Sequence, residues 1–175
     1  LGAYDQLLEL SPDDYTVYRQ KAGVEQQRGN FASAASHLQR YLEFVPDSGH
    51  AYVQLAGIYQ AQGDLDAAQR ALEDAAILSD NPVASELGLA RIEVRRGLHD
   101  AAKTRLRALI GDGLSDQQRT QVIGVMAEVG LMLGEIESAI SFAREASELA
   151  KSFMAPAVRI FNLDSQEAVM LALLG

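Results

Sequence analysis

Three glycines keep one spacing along this chain: Gly29, Gly63 and Gly97 stand 34 residues apart, and Gly134 follows 37 residues later. A strict period of this length means one small supersecondary unit used again and again. Other columns keep the same step. Ala22, Ala56 and Ala90 precede the glycines, Ala34, Ala68 and Ala102 follow them, and Leu38, Leu72 and Leu106 lie one turn further on. Pro12 and Pro46 are also 34 apart.

The unit is clearest in residues 49–82. Tyr52, Leu55, Ala56 and Tyr59 fall on one helical face. Gly63-Asp64 interrupts the helix, glycine being the residue that best tolerates a left-handed end. A second stripe runs through Leu65, Ala68, Leu72, Ala75 and Leu78, and Ser79-Asp80-Asn81-Pro82 stops it. The unit is a helical hairpin with alanine wherever two helices must approach closely.

Tyr-x-x-x-Ala before the glycine and Ala-x-x-x-Leu after it, at a period of 34, resemble the tetratricopeptide repeat (TPR) family. The resemblance implies an all-α fold, a right-handed α-α superhelix (TPR solenoid) of helix-turn-helix repeats. Residues 1–12 would be the second helix of a truncated repeat, with full repeats at 13–46, 49–82 and 83–114. A longer, degenerate fourth would occupy 115–153, and 154–175 would be the first helix of another truncated repeat. Ala127, Ala139 and Ala146 stand in register with Gly134, so the extra residues imply longer helices or a kinked connection. Both truncated ends suggest a piece of a larger repeat protein.

Local departures matter too. Lys21 and Glu25 replace an apolar residue and an aromatic, which predicts looser packing in the first full repeat. Glu86 stands where Tyr18 and Tyr52 stand earlier. Ile110–Leu114 is a loop, and Ser115-Asp116-Gln117-Gln118 reads as a capping box. Between Pro156 and the start signal Asp164–Glu167, the last segment reads equally as one helix or two.

Composition narrows function. Hydrophobic residues make up 48% and aromatic ones 6%, so the core must be mostly Ala and Leu. No cysteine is present, which excludes disulfides and thiol chemistry. A net charge of −9 argues against nucleic acid as partner. No apolar run reaches the length of a membrane span. Twelve arginines against three lysines, with abundant alanine, are a usage common in bacteria, leaving cytoplasm or periplasm open.

Catalytic chemistry finds no foothold. His37, His50 and His99 fall in different repeats at different places, and Gly111-Asp112-Gly113 lacks the spacing and lysine of a phosphate loop. Asp64, Asp66, Glu135 and Glu137 sit at helix starts, where carboxylates offset the dipole without any metal. No cofactor or metal is expected, and the segment is not expected to be an enzyme.

The TPR resemblance places a partner in the concave groove lined by first helices. The residues just off their packing stripe are Arg19, Gly23 and Gln26, then His50, Val53, Gly57 and Gln60, then Leu87, Arg91, Val94 and Arg95, then Gln121 and Glu128. Gly23 stands where a chaperone carboxylate clamp has asparagine, so that function is not expected. Arg91 and Arg95 are one turn apart and can address a single carboxylate or phosphate. Residues 83–116 hold six Lys/Arg against five Asp/Glu, leaving −10 on the rest of the chain.

The expected function is therefore a non-catalytic protein-protein interaction scaffold that holds a protein or extended peptide, with an acidic segment over Arg91 and Arg95. The alternatives are a structural, oligomerising array of a bacterial envelope or polysaccharide-secretion machine, self-associating through its terminal helices, and a regulatory region beside a catalytic domain.

Overall fold

A computed structural model of the chain describes residues 2–10, 14–111 and 113–151; the expected terminal helix over 154–175 lies outside them. Every regular element among the described residues is an α-helix. They are α1 (Gly2–Leu10), α2 (Tyr15–Gln27), α3 (Phe31–Phe44), α4 (Gly49–Gln62), α5 (Leu65–Ile77), α6 (Val83–Arg95), α7 (His99–Leu109), α8 (Asp116–Met132) and α9 (Ile136–Ala150). The described residues divide into two compact units after Ser85, just inside α6.

The four hinge glycines share one geometry. Gly29, Gly63, Gly97 and Gly134 have φ of 78°, 81°, 76° and 72°, a conformation that a Cβ would crowd. The next residue's N–H (Asn30, Asp64, Leu98, Glu135) reaches back to the carbonyl of Glu25, Tyr59, Glu93 or Gly130 at 2.8–2.9 Å. Each glycine N–H donates to the carbonyl three residues before it at 2.9–3.1 Å. This pair of bonds is the Schellman arrangement, which satisfies carbonyls the helix end would leave unpaired. Ser115 opens α8 with the expected capping box, its Oγ accepting from the Gln118 N–H while the Gln118 side chain accepts from the Ser115 N–H.

Small residues fill the places where helices meet. Ala22, Ala34, Ala56, Ala68, Ala75, Ala90, Ala102 and Ala139 are all 0% exposed, and Leu38, Leu72 and Leu106 are at most 2% exposed. In the first unit Tyr18, Phe31, Tyr52 and Tyr59 pack around that core. In the second, Leu131, Ile136 and Phe142 pack against Ala127 and Ile140. The added length before the fourth hinge goes into α8, which has 17 residues against 13 or 14 in α2, α4 and α6.

The sequence implied looser packing in the first full repeat, but Glu25 is 4% exposed. Asn30 Nδ2 donates to Glu25 Oε2 at 2.7 Å. Glu25 Oε1 has no hydrogen-bond partner and faces Arg28 at 3.6 Å. Two repeats later Glu93 occupies the same column, but Leu98 replaces the asparagine. There Arg105 takes over, bonding Glu93 through Nε at 3.1 Å and Nη2 at 2.7 Å and Glu86 through Nη1. Hydrogen bonds to Glu93 are the main reason that the Arg105 guanidinium is held further into its protonated form. In the first repeat the columns of Glu86 and Arg105 carry Tyr18 and His37, whose ring centroids lie 6.4 Å apart. One pair of positions thus serves as a ring contact in one repeat and an ion pair in another.

Two measurements test this account. Gly63→Ala should cost about 1–2 kcal/mol in urea unfolding because of its positive φ. Gly57→Ala, inside α4 with nothing within 4 Å of the added Cβ, should gain up to about 1 kcal/mol. Shifts of the same sign would refute the hinge argument. Arg105→Ala should cost about 2 kcal/mol by leaving Glu86 and Glu93 without their donor. The triple change Glu86→Tyr, Arg105→His and Leu98→Asn installs the first repeat's ring contact together with its amide donor to the buried carboxylate, and should recover most of that loss.

Candidate functional site: the first-helix faces

In the second unit, two of the expected groove residues meet. Arg91 on α6 donates through Nε to Glu128 Oε2 on α8 at 3.1 Å, with 44% and 45% of the two side chains exposed. Residues 37 apart are thereby brought onto one open face by the period of the repeat. Arg95 follows Arg91 by one turn on α6 and is exposed, as is Gln121 on α8. Leu87 and Val94 are a correction to the sequence reading. They are 5% and 8% exposed and serve packing, because an apolar side chain beside the α6 stripe is drawn inward.

The bridge also revises the electrostatics. Arg91 has an acidic neighbour in Glu128, so the cationic patch is smaller than residues 83–116 suggested. An exposed pair of this kind is worth ~0.2–1 kcal/mol and can be exchanged for an incoming carboxylate at little cost.

In the first unit, Arg19 and His50 are exposed and Gln26, Val53 and Gln60 half-buried. An added Cβ at Gly23 or Gly57 would meet nothing within 4 Å, so both leave backbone uncovered on α2 and α4. Arg19 lies over the Tyr41 ring, 6.0 Å from its centroid. Beside it is a cluster the sequence reading missed. Phe44 stacks on Tyr15 and Tyr18 at 6.0 and 6.2 Å, and Arg40 lies 5.2 Å over Phe44. Its signal was present in Tyr15 and Tyr18, one turn apart, and Arg40 and Phe44, one turn apart.

Among the described residues no three His, Cys, Asp or Glu side chains gather to hold a metal ion, and no helix is long and apolar enough to cross a membrane. A double-mutant cycle on Arg91 and Glu128 should give a coupling below about 1 kcal/mol that shrinks with added salt. A larger, salt-insensitive coupling would make the pair a structural fixture rather than an exchangeable one.

Residues 25–87 match the family model described as tetratricopeptide repeat. No curated protein matches the sequence. Among solved structures, a thermophilic TPR protein of Thermus thermophilus is 19% identical, with a TM-score of 0.74 over 97% of this chain and 87% of its own. PilW, a type IV pilus biogenesis factor, is 14% identical, with a TM-score of 0.71 over 98% and 76% of the two chains. YrrB, a TPR protein with an unusual peptide-binding site, is 18% identical, with a TM-score of 0.57 over 98% and 83%. Identities this low speak for the fold alone. The chain carries tetratricopeptide repeats over residues 25–87 and shares its fold with a solved TPR protein across 97% of its length.

Proposed function

We propose that the chain is a non-catalytic scaffold that binds a protein or extended peptide along its exposed first-helix faces, with an acidic segment of that partner addressed to Arg91 and Arg95. The observation that carries this reading is the Arg91–Glu128 bridge. It supports a common face for α6 and α8, bearing an arginine whose present partner is exposed and weakly held. A bound carboxylate would replace Glu128 at Arg91 and use the planar guanidinium for a bidentate contact. Gly23 and Gly57 suit a partner backbone running close to α2 and α4, since neither carries a side chain to block it.

Selection from a display library of random linear peptides provides the test. Selected peptides should be enriched in Asp and Glu, and Arg91→Glu with Arg95→Glu should weaken them at least tenfold while helix content by circular dichroism stays unchanged. Equal binding by the double variant would remove α6 from the site.

An oligomerising role rests on a separate observation: Leu7 and Leu10 on α1 are 46% and 83% exposed. If they mediate self-association, light scattering should show mass rising with concentration, and Leu10→Glu should abolish the rise.

A further inference from the structure

A cavity of about 120 Å³ opens in the second unit between α7, α8 and α9. Leu106, Met126, Val129 and Phe142 give it apolar walls, and Lys103, Arg107 and Glu135 line it as well. Lys103 and Glu135 bond to each other.

The position of this cavity in the repeat explains its origin. Four residues before the second hinge stands Tyr59; four before the fourth stands Gly130, which lines the cavity. Tyr59 packs on the core around Leu38, Leu55 and Ile58, and its hydroxyl accepts from Gln39 Nε2 at 2.9 Å. By register, Leu106, Met126 and Val129 are the counterparts of Leu38, Leu55 and Ile58, and Arg107 is the counterpart of Gln39. By register the cavity lies where the second repeat places the Tyr59 ring, with the amide donor exchanged for a cation and with Phe142 walling one side in the column of Ala71. A side chain at residue 130 would crowd the hairpin, because a Cβ there would lie 3.2 Å from Ala139 Cβ and α9 would have to give way by a few tenths of an ångström.

We propose that this slot receives an aromatic side chain from a partner polypeptide, with a neighbouring carboxylate of that partner addressed by Arg107. The volume is below the ~300–1,000 Å³ of sites that enclose a whole small ligand, and it suits one ring anchored from a longer chain. An apolar cavity of about 150 Å³ is known to take up benzene, which sets the scale for a ring in a slightly smaller, open slot. Charge decides the flank: with Lys103 bonded to Glu135, Arg107 tips the lining toward an anion. The site is separate from the proposed groove. At 3.6 residues per turn, Met126 and Gly130 lie on the side of α8 opposite Glu128.

The test follows the Met126 methyl by NMR in the intact chain as capped tripeptides are added. The acidic tyrosine peptide Ac-Glu-Tyr-Glu-NH2 should shift it saturably, and Ac-Glu-Ala-Glu-NH2 should not. The basic Ac-Lys-Tyr-Lys-NH2 should bind about tenfold more weakly, a gap that Arg107→Gln should close and Arg107→Lys should keep. Arg107 is exposed, so both variants should fold, which circular dichroism checks. No saturable shift with any tyrosine peptide, or equal shifts with the alanine peptide, would overturn the proposal. Tighter binding by free 4-hydroxyphenylacetate than by the acidic peptide would overturn the polypeptide as the source.

Discussion

The left-handed glycine at each hinge governs where every other side chain in these hairpins can go. It reverses the chain within a few residues and leaves the two helices nearly in contact, so their facing positions must be small. That is why Ala22 and Ala34, or Ala56 and Ala68, are wholly buried although alanine offers little apolar area of its own. The larger residues, Leu38, Leu72 and Leu106, fill the space one turn further on. Close approach contributes dispersion over many weak contacts, and a larger side chain at the alanine positions would sacrifice them by forcing the helices apart.

A fixed backbone leaves the remaining columns open to different chemistry. Tyr18 with His37 and Glu86 with Arg105 are the same two positions, once as neighbouring rings and once as an ion pair. The carboxylate column shows the same freedom. Glu25 relies on Asn30, and Glu93 relies on Arg105 where the asparagine has become leucine. Both solutions obey one constraint: a carboxylate turned inward needs a donor within reach, whichever element supplies it. The column of Tyr59 goes further, since Gly130 drops the side chain altogether and a cavity is left between three helices.

Period and hinge are legible in the sequence, because glycine and alanine act through backbone and size alone. The helices, the Schellman ends and the capping box at Ser115 follow from such local rules. The exposed faces are legible in part. Arg91 and Glu128 reach one surface as the register implied, but Leu87 and Val94 turn inward, because a helix stripe widens wherever its neighbours offer apolar cover. The burial of Glu25 is hidden because it depends on Asn30, a residue beyond the hinge whose amide no helical pattern singles out. The cavity at Gly130 is equally hidden, for whether an absent side chain leaves a space depends on how its neighbours, Met126, Val129 and Phe142, pack around it.

Charge sets the terms on which such a chain can recognise anything. With −9 overall, its long-range field repels acidic partners and draws in basic ones, yet Arg91, Arg95 and Arg107 present cations at particular points. Beyond roughly 8 Å at physiological salt that field is largely screened, whereas a guanidinium in direct contact is not. On the proposed reading, selection would happen at contact distance, where a partner's carboxylate is rewarded only when it meets an arginine and penalised elsewhere along the chain. Acidity spread over the rest of the surface would then work as discrimination: a uniformly acidic polypeptide would find few favourable registers, and one with a single well-placed acid would find a favoured one.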